Sequence, residues 1–238
     1  MRFDVPLIEG RLINRYKRFF ADVELTSGEK VTAHCANSGS MLSVKEPGAR
    51  VWLSPATNPE RKLKFTWELI EIYGNLVGIN TGHPNRLVAE AIAAGEIKAL
   101  TGYDDLKREQ KYGKNSRIDV LLSGKGKPPC YVEVKNVTMK RQPGAACPAE
   151  FPDSVTERGT KHLNELAAMV KSGARAVMFY LVQRGDAVRF SVAADLDPAY
   201  ADALKTALKA GVEVLAYGCE VSADGITIAD PLTMDLPK

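Results

Sequence analysis

Cysteine and histidine are both scarce in this chain. Its four cysteines, Cys35, Cys130, Cys147 and Cys219, lie far apart in 238 residues with no CxxC pair. That spacing offers neither a zinc site nor a disulfide framework, so free thiols in a reducing compartment are expected. The three histidines, His34, His83 and His162, exclude chemistry built on a cluster of imidazoles. Long apolar runs are also missing: the longest is Ala176–Val182, far short of the roughly 20 residues that span a bilayer. The opening MRFDVPLIEG has no apolar signal-peptide core. A cytoplasmic protein without a membrane partner is the expectation. Nor is there a strong charge of one sign, the net charge being +3. Its distribution is uneven: residues 1–82 carry +2, residues 83–162 carry +4 and residues 163–238 carry −3. A polyanion would therefore face the first two thirds.

With 45% hydrophobic and 26% charged residues, the composition is that of a globular protein large enough for one sizeable core or two smaller ones. Up to residue 82 the grammar is that of strands: RYKRFFADVEL, KVTAH, RVWLS, KFTWELIEIY, a Gly74-Asn75 turn signal and LVGIN. Five or more short strands in about 80 residues predict a small closed barrel of OB type over residues 1–82. Residues 83–238 read as α/β. Pro84 suits a first helical turn, with Leu87, Val88, Ala91 and Ile92 on one face and Gly95 as the stop. Strands are expected at 108–112, 116–122 and 130–137. A helix follows, with Ser154 and Glu157 as a capping box and Gly173 as its end. AVMFYLV reads as a buried central strand. A last helix runs from Asp197-Pro198 to Gly211, and EVLAY is a last strand.

The stretch IDVLLSGKGKPPCYVEVK, residues 118–135, has the form of a hairpin, yet it carries charge inside its apolar runs. A period of two sets Val132 and Val134 on one face and Tyr131, Glu133 and Lys135 on the other. Should helices cover both faces, Glu133 and Lys135 are buried charges that need partners or a metal. Asp119, in the preceding strand, can lie beside them. Two carboxylates suit a hard cation such as Mg²⁺, and a neighbouring lysine can orient water or stabilise charge on phosphate. The plainer reading is a half-exposed strand whose Glu and Lys are solvated.

An aspartate in one strand, E-x-K in the next and a helix on either side resemble the PD-(D/E)XK nuclease core. The stretches RYKRFFADV, HCANSGSM, TWEL, INTGHPNRLVAEAI, KYGKNSRIDVLL, YVEVKNVT and FPDSVTERGTKHLNEL resemble the sugar fermentation stimulation protein A family more closely still. This resemblance implies an OB-like barrel followed by a nuclease-like domain, DNA binding, and a link to regulation of sugar (maltose) use. It also implies that Asp119 and Glu133, with the Val134 carbonyl, bind Mg²⁺ or Mn²⁺, and that Lys135 is the catalytic lysine. Glu90 or Glu109 would complete the acidic set, and the usual placement on the first helix favours Glu90. Ile118 stands where the nuclease motif has proline. Pro152-Asp153, coming after E-x-K, reads as a turn into the following helix. The connection Met139–Phe151 is long and lies beside the site.

For DNA contact, RYKRFF read as a strand places Arg15, Lys17 and Phe19 on one face and Tyr16, Arg18 and Phe20 on the other. Basic and aromatic groups together hold phosphates and stack bases in OB-folds; the alternative reading has the aromatics filling the barrel. Lys111, Lys114, Arg117, Lys140, Arg141, Arg158 and Lys161 surround the expected metal site. His162 borders the apolar stripe of its helix and reads as structural, and HCANSGSM reads as a loop. Three functions compete: a metal-dependent nuclease that hydrolyses phosphodiesters, a DNA-binding regulator on a nuclease scaffold, and an enzyme of sugar metabolism, for which no nucleotide-binding glycine loop is present.

Overall fold

The computed structural model describes residues 1–113 and 115–237; Lys114 lies outside them. Strands β1 (Ile8–Tyr16), β2 (Phe20–Leu25), β3 (Lys30–Cys35), β4 (Arg50–Pro55) and β5 (Phe65–Ile72) run antiparallel in the order β3-β2-β1-β4-β5. Parallel pairing of β3 with β5, with Cys35 opposite Trp67, closes them into a barrel. Leu12, Val23, Ala33, Leu53, Trp67 and Ile70 fill its interior. β6 (Asn75–Gly78) extends β5 as a hairpin. Its turn is Tyr73-Gly74, both at positive φ, one residue ahead of the Gly74-Asn75 signal.

RYKRFF is not one strand. Lys17 and Arg18 have φ of 46° and 63°, so the chain reverses, and Tyr16 pairs with Phe20 across the hairpin. The face shared by Arg15, Lys17 and Phe19 therefore does not exist. Lys17, Arg18 and Phe19 form a tip instead.

The second part is α/β, as its sequence pattern predicts. After α1 (Pro84–Ala93) come β7 (Asp105–Tyr112), β8 (Ser116–Ser123), β9 (Cys130–Val137), the short β10 (Ala149–Phe151) and α2 (Glu157–Lys171). They are followed by β11 (Arg175–Val182), β12 (Arg189–Val192), α3 (Pro198–Lys209), β13 (Glu213–Val221), β14 (Ile226–Pro231) and β15 (Thr233–Asp235). The main sheet has the order β14-β13-β11-β9-β8-β7. Its centre, β9, β11 and β13, is parallel, which accounts for the unbroken apolar run of β11 between two helical layers. α1 packs with Val132 and Val134 on one face. On the other face α2 and α3 pack through Leu163, Leu166 and Leu204, with Tyr131 against them. Both sides of the charged hairpin are thus covered, and its charges are a structural problem rather than solvated decoration.

The expected Ser154–Glu157 capping box is absent. α2 starts at Glu157, and the Thr156 side chain accepts from the Gly159 amide at 3.1 Å. Residues ahead of it are held in a loop because the Asp153 carboxylate accepts from the Met41 amide of the barrel at 2.7 Å. Lys140, expected among the basic residues around the metal site, is fully buried; its Nζ reaches the Asp186 carbonyl at 2.5 Å and Oδ2 at 3.1 Å. Arg141 is engaged by Glu150 and Asp195.

A second polar knot joins the barrel to α1. Glu68 on β5 is buried and accepts from Ser54 at 2.7 Å and Asn80 at 2.8 Å, with His83 Nε2 at 2.8 Å. Burial pushes its carboxyl up, but the His83, Ser54 and Asn80 contacts outweigh burial and the net direction is down. A carboxyl held below its unfolded value stabilises the fold above that value, and this contribution is lost as pH falls through the folded one. The stability difference between wild type and Glu68→Gln should therefore be full near neutrality, on the order of 1–3 kcal/mol. It should shrink below pH ~4. Urea midpoints measured across pH check this, and a difference independent of pH would contradict it.

Candidate functional site

β8 and β9 pair from Leu122–Cys130 to Val120–Val132 and then part. Beyond that point the register would set Asp119 opposite Glu133. The Asp119 side chain fills the gap, its Oδ2 accepting from the Val134 amide at 2.7 Å. The ladder thus stops where the charges begin, and a backbone donor orients the first carboxylate. Its other oxygen, Oδ1, accepts from Asn85 Nδ2 at 2.6 Å. Asn85 lies in the first turn of α1 and also reaches Glu109 Oε1 at 3.3 Å.

Glu133 is 2% exposed. Its Oε1 accepts from Lys135 Nζ at 2.8 Å and meets His162 Nδ1 from α2. Its Oε2 is buried with no hydrogen-bond partner among the described residues. An unpaired buried carboxylate oxygen costs free energy that the rest of the fold must offset. Lys135 Nζ is also 3.1 Å from His162 Nδ1.

The two carboxyls are driven apart in acidity. Burial first, and then the charge of Glu133, pushes Asp119 up to about 6. Burial also raises Glu133, but the His162 contact and Lys135 outweigh it and hold this carboxyl below its ordinary value. The charge of Glu133 disfavours the Asp119 carboxylate, and a cation between the two would relieve that repulsion. The donor chemistry fits a hard divalent ion with oxygen ligands. Among the described residues no three His, Cys, Asp or Glu side chains converge as a metal-binding group. A cation here would thus rest on two carboxylates, a backbone carbonyl such as that of Val134, and water.

These groups line a cleft of about 320 Å³. α1 lends it Pro84 and Asn85, α2 lends Arg158, Gly159 and His162, and the barrel lends Asn37, Ser38 and Gly39. The barrel is therefore part of the cleft. Arg15, on β1, ties the 37–39 loop to the β1–β2 hairpin: its guanidinium donates to the carbonyls of Arg18 at 3.0 Å, Asn37 at 2.9 Å and Gly39 at 2.9 Å. Ser40 Oγ donates to the Asp153 carbonyl at 2.7 Å.

Asp119, Glu133, Val134, Lys135 and Arg158 line one cleft. Glu90 does not join them. It lies five residues after Asn85, about 140° round the helix, and binds Arg86 Nε at 2.6 Å, with the Met1 amine at 3.8 Å. Only the first turn of α1 faces the cleft, so Glu109 is the upstream acid that stands near Asp119. Arg15 is spent on backbone carbonyls, whereas Lys17 and Arg18 are exposed at the hairpin tip. Lys111 and Arg117 are exposed partners across β7 and β8, and Lys161 stands 3.7 Å from Glu165. Asn85 is not singled out by the sequence, its one signal being its position just inside a helix start, whereas Asp153 reads there only as a turn residue and His162 only as a structural one.

Two family profiles cover nearly the whole chain. The one described as "SfsA N-terminal OB domain" matches residues 13–79, and the one described as "Sugar fermentation stimulation protein RE domain" matches residues 82–225. The chain belongs to the sugar fermentation stimulation protein family. A family member from Paramagnetospirillum magneticum, named sugar fermentation stimulation protein homolog, is 59% identical over 238 residues, 100% of this chain and 99% of its own. Another of that name, from Rhodospirillum rubrum, is 60% identical over 228 residues, 93% of each chain. The solved structure of Pyrococcus furiosus SfsA in complex with Ca²⁺ superposes with a TM-score of 0.87 at 26% identity, covering 99% of this chain and 98% of that one. The barrel followed by an α/β domain is thus the architecture of the family. No helix among the described residues is long and apolar enough to cross a membrane.

Proposed function

We propose that this protein binds DNA and hydrolyses phosphodiester bonds at the Asp119–Glu133–Lys135 cleft with a divalent cation, Mg²⁺ or Mn²⁺. The observation that carries this reading is the buried Oε2 of Glu133, without a partner among the described residues, in a carboxylate pair that favours positive charge. The Ca²⁺ bound by the Pyrococcus furiosus relative supports it, since Ca²⁺ and Mg²⁺ both take hard oxygen ligands. When bound, the cation supplies charge for the phosphate oxygens and lowers the pKa of a coordinated water.

The remaining work falls to the chain. Asp119, held by Val134 and Asn85, and Glu133, held by Lys135 and His162, present oxygens to the cation. Lys135, 13% exposed at the side chain, lines the same cleft and donates to charge that develops on the phosphate oxygens. Arg158 and the amide-rich first turn of α2 receive phosphate at the cleft wall. Lys111, Arg117 and Lys161 extend the basic surface.

The barrel tip prolongs the track. Phe19 is 47% exposed beside the exposed Lys17 and Arg18, and Arg15 ties this tip to the loop lining the cleft. Base stacking on an aromatic contributes roughly 1–3 kcal/mol per base. Phe19→Ala should weaken binding of fluorescent oligothymidylate on the order of 10-fold and duplex binding much less, as read by anisotropy at fixed salt. Equal affinities would remove Phe19 from the interface.

The reading is tested by cleavage of labelled single- and double-stranded DNA and RNA with Mg²⁺ or Mn²⁺. Wild type should cut and Lys135→Ala should lose on the order of 100-fold or more, a transition-state contribution of about 3 kcal/mol, while still binding DNA. Binding without cleavage in wild type would leave a DNA-binding regulator on a nuclease scaffold.

A further inference from the structure

His162 sits on the edge of α2 where a core residue belongs, 4% exposed beside Leu163 and Leu166. A space-filling residue at that position could be wholly apolar. His162 instead turns its ring from the leucine face toward β9, where Nδ1 meets Glu133 Oε1 and Lys135 Nζ. Arg158, one turn earlier, approaches Nε2 at 3.5 Å.

The consequence lies in how the Glu133 oxygens are divided. Both hydrogen-bond partners of this carboxylate, Lys135 and His162, converge on Oε1, and among the described residues none reaches Oε2. Lys135 alone could not fix the carboxylate plane, because its ammonium is a point donor on a flexible stem. A second contact, from a ring held by helix packing, removes that rotation. His162 thereby keeps Oε1 inward and leaves Oε2 without a partner.

We infer that His162 is a positioning residue of the cation site, holding Glu133 and Lys135 in the orientation that commits Glu133 Oε2 to a divalent cation. The inference rests on the cation site proposed above. Groups that orient metal ligands in this way typically change affinity by 10–100-fold when removed. His162 is thus the counterpart, on α2, of Asn85 on α1, which orients Asp119.

The test is Mn²⁺ binding by calorimetry to the full chain, with thermal unfolding measured in parallel. Three substitutions separate orientation from packing. His162→Leu keeps apolar volume and removes the ring nitrogen, and should raise the Mn²⁺ dissociation constant roughly 10–100-fold. His162→Asn places an amide near the Nδ1 position and should stay within about 3-fold of wild type. His162→Gln places its amide further out, near Nε2, and should bind as poorly as His162→Leu. The contrast between Asn and Gln retains the test if His162→Leu fails to fold, because a purely structural role would not rank two amides by reach. Wild-type affinity in His162→Leu, or equal affinity in the Asn and Gln variants, overturns the inference while the cation site stands. No Mn²⁺ binding in wild type overturns the cation site and this inference with it.

Discussion

Glu133→Gln and Asp119→Asn should each abolish measurable Mg²⁺ and Mn²⁺ binding, a loss of at least 100-fold, while leaving the fold intact. The expectation follows from ligand number. Two carboxylates supply all the side-chain anionic charge of the proposed site, and hard cations bound through so few carboxylates retain several waters. Neutralising one halves that charge. Both substitutions keep side-chain volume, and Asn at position 119 retains a carbonyl oxygen that can accept from the Val134 amide. Fold loss is therefore not the expected route to the defect. Relief of carboxylate repulsion can even stabilise the cation-free protein, since burial and Glu133 both push Asp119 up. Calorimetric titration reads the affinity, and thermal unfolding with and without cation reads the coupling. Retained cation-induced stabilisation in both variants would place the ion elsewhere.

The largest effect on stability should come from Asp186→Ala. Asp186 lies between two wholly buried cations, Lys140 and Arg184. Arg184 Nε and Nη2 donate to its two oxygens at 2.6 and 3.0 Å, and Lys140 Nζ approaches Oδ2 at 3.1 Å. The Thr138 carbonyl accepts from Arg184 Nη1 at 2.8 Å. Burial raises the Asp186 carboxyl, and Arg184 and Lys140 outweigh it, so the net direction is down. Removing the one carboxylate leaves two desolvated positive charges, a loss of about 3–5 kcal/mol. Since Lys140 follows β9 and Arg184 follows β11, the same knot fixes the end of the sheet that carries the cleft. Urea unfolding of Asp186→Ala and Asp186→Asn checks the magnitude. A change below about 1 kcal/mol in the alanine variant would mean that water or backbone already solvates those cations.

How much of this was legible in the sequence varied with the range of the interactions. The alternation in YVEVK placed Val132 and Val134 against α1 and Tyr131 on the α2 side, because a strand's period is local. The capping of α3 by Asp197, whose Oδ1 accepts from the Tyr200 amide at 3.0 Å, was equally local. RYKRFF failed because Lys17 and Arg18 adopt left-handed backbone, which the usual glycine or asparagine signals did not announce. Glu90 failed for a tertiary reason: only packing decides which end of α1 meets the sheet. The Ser154 capping box lost to Asp153, whose bond to the Met41 amide is a contact 112 residues away in sequence. His162 was read as structural from its apolar neighbours. Its ring nitrogen serves another strand, and nothing in the helix period reports on that.

The pairing of the barrel with the cleft was the least visible feature and has the most bearing on function. Arg15, read as a DNA contact, holds the tip and the 37–40 loop together, and Ser38 and Gly39 line the cleft beside Arg158. A strand entering the cleft would touch both parts of the protein at once.

The central claim, a divalent cation held by Asp119 and Glu133, is tested most directly by anomalous diffraction from crystals soaked in Mn²⁺. The account predicts one strong peak in the cleft, within about 2.0–2.3 Å of a carboxylate oxygen of each residue. Glu133 Oε2 should be among the ligands. An empty cleft at saturating Mn²⁺, or a peak that leaves Glu133 Oε2 without a ligand, would contradict it.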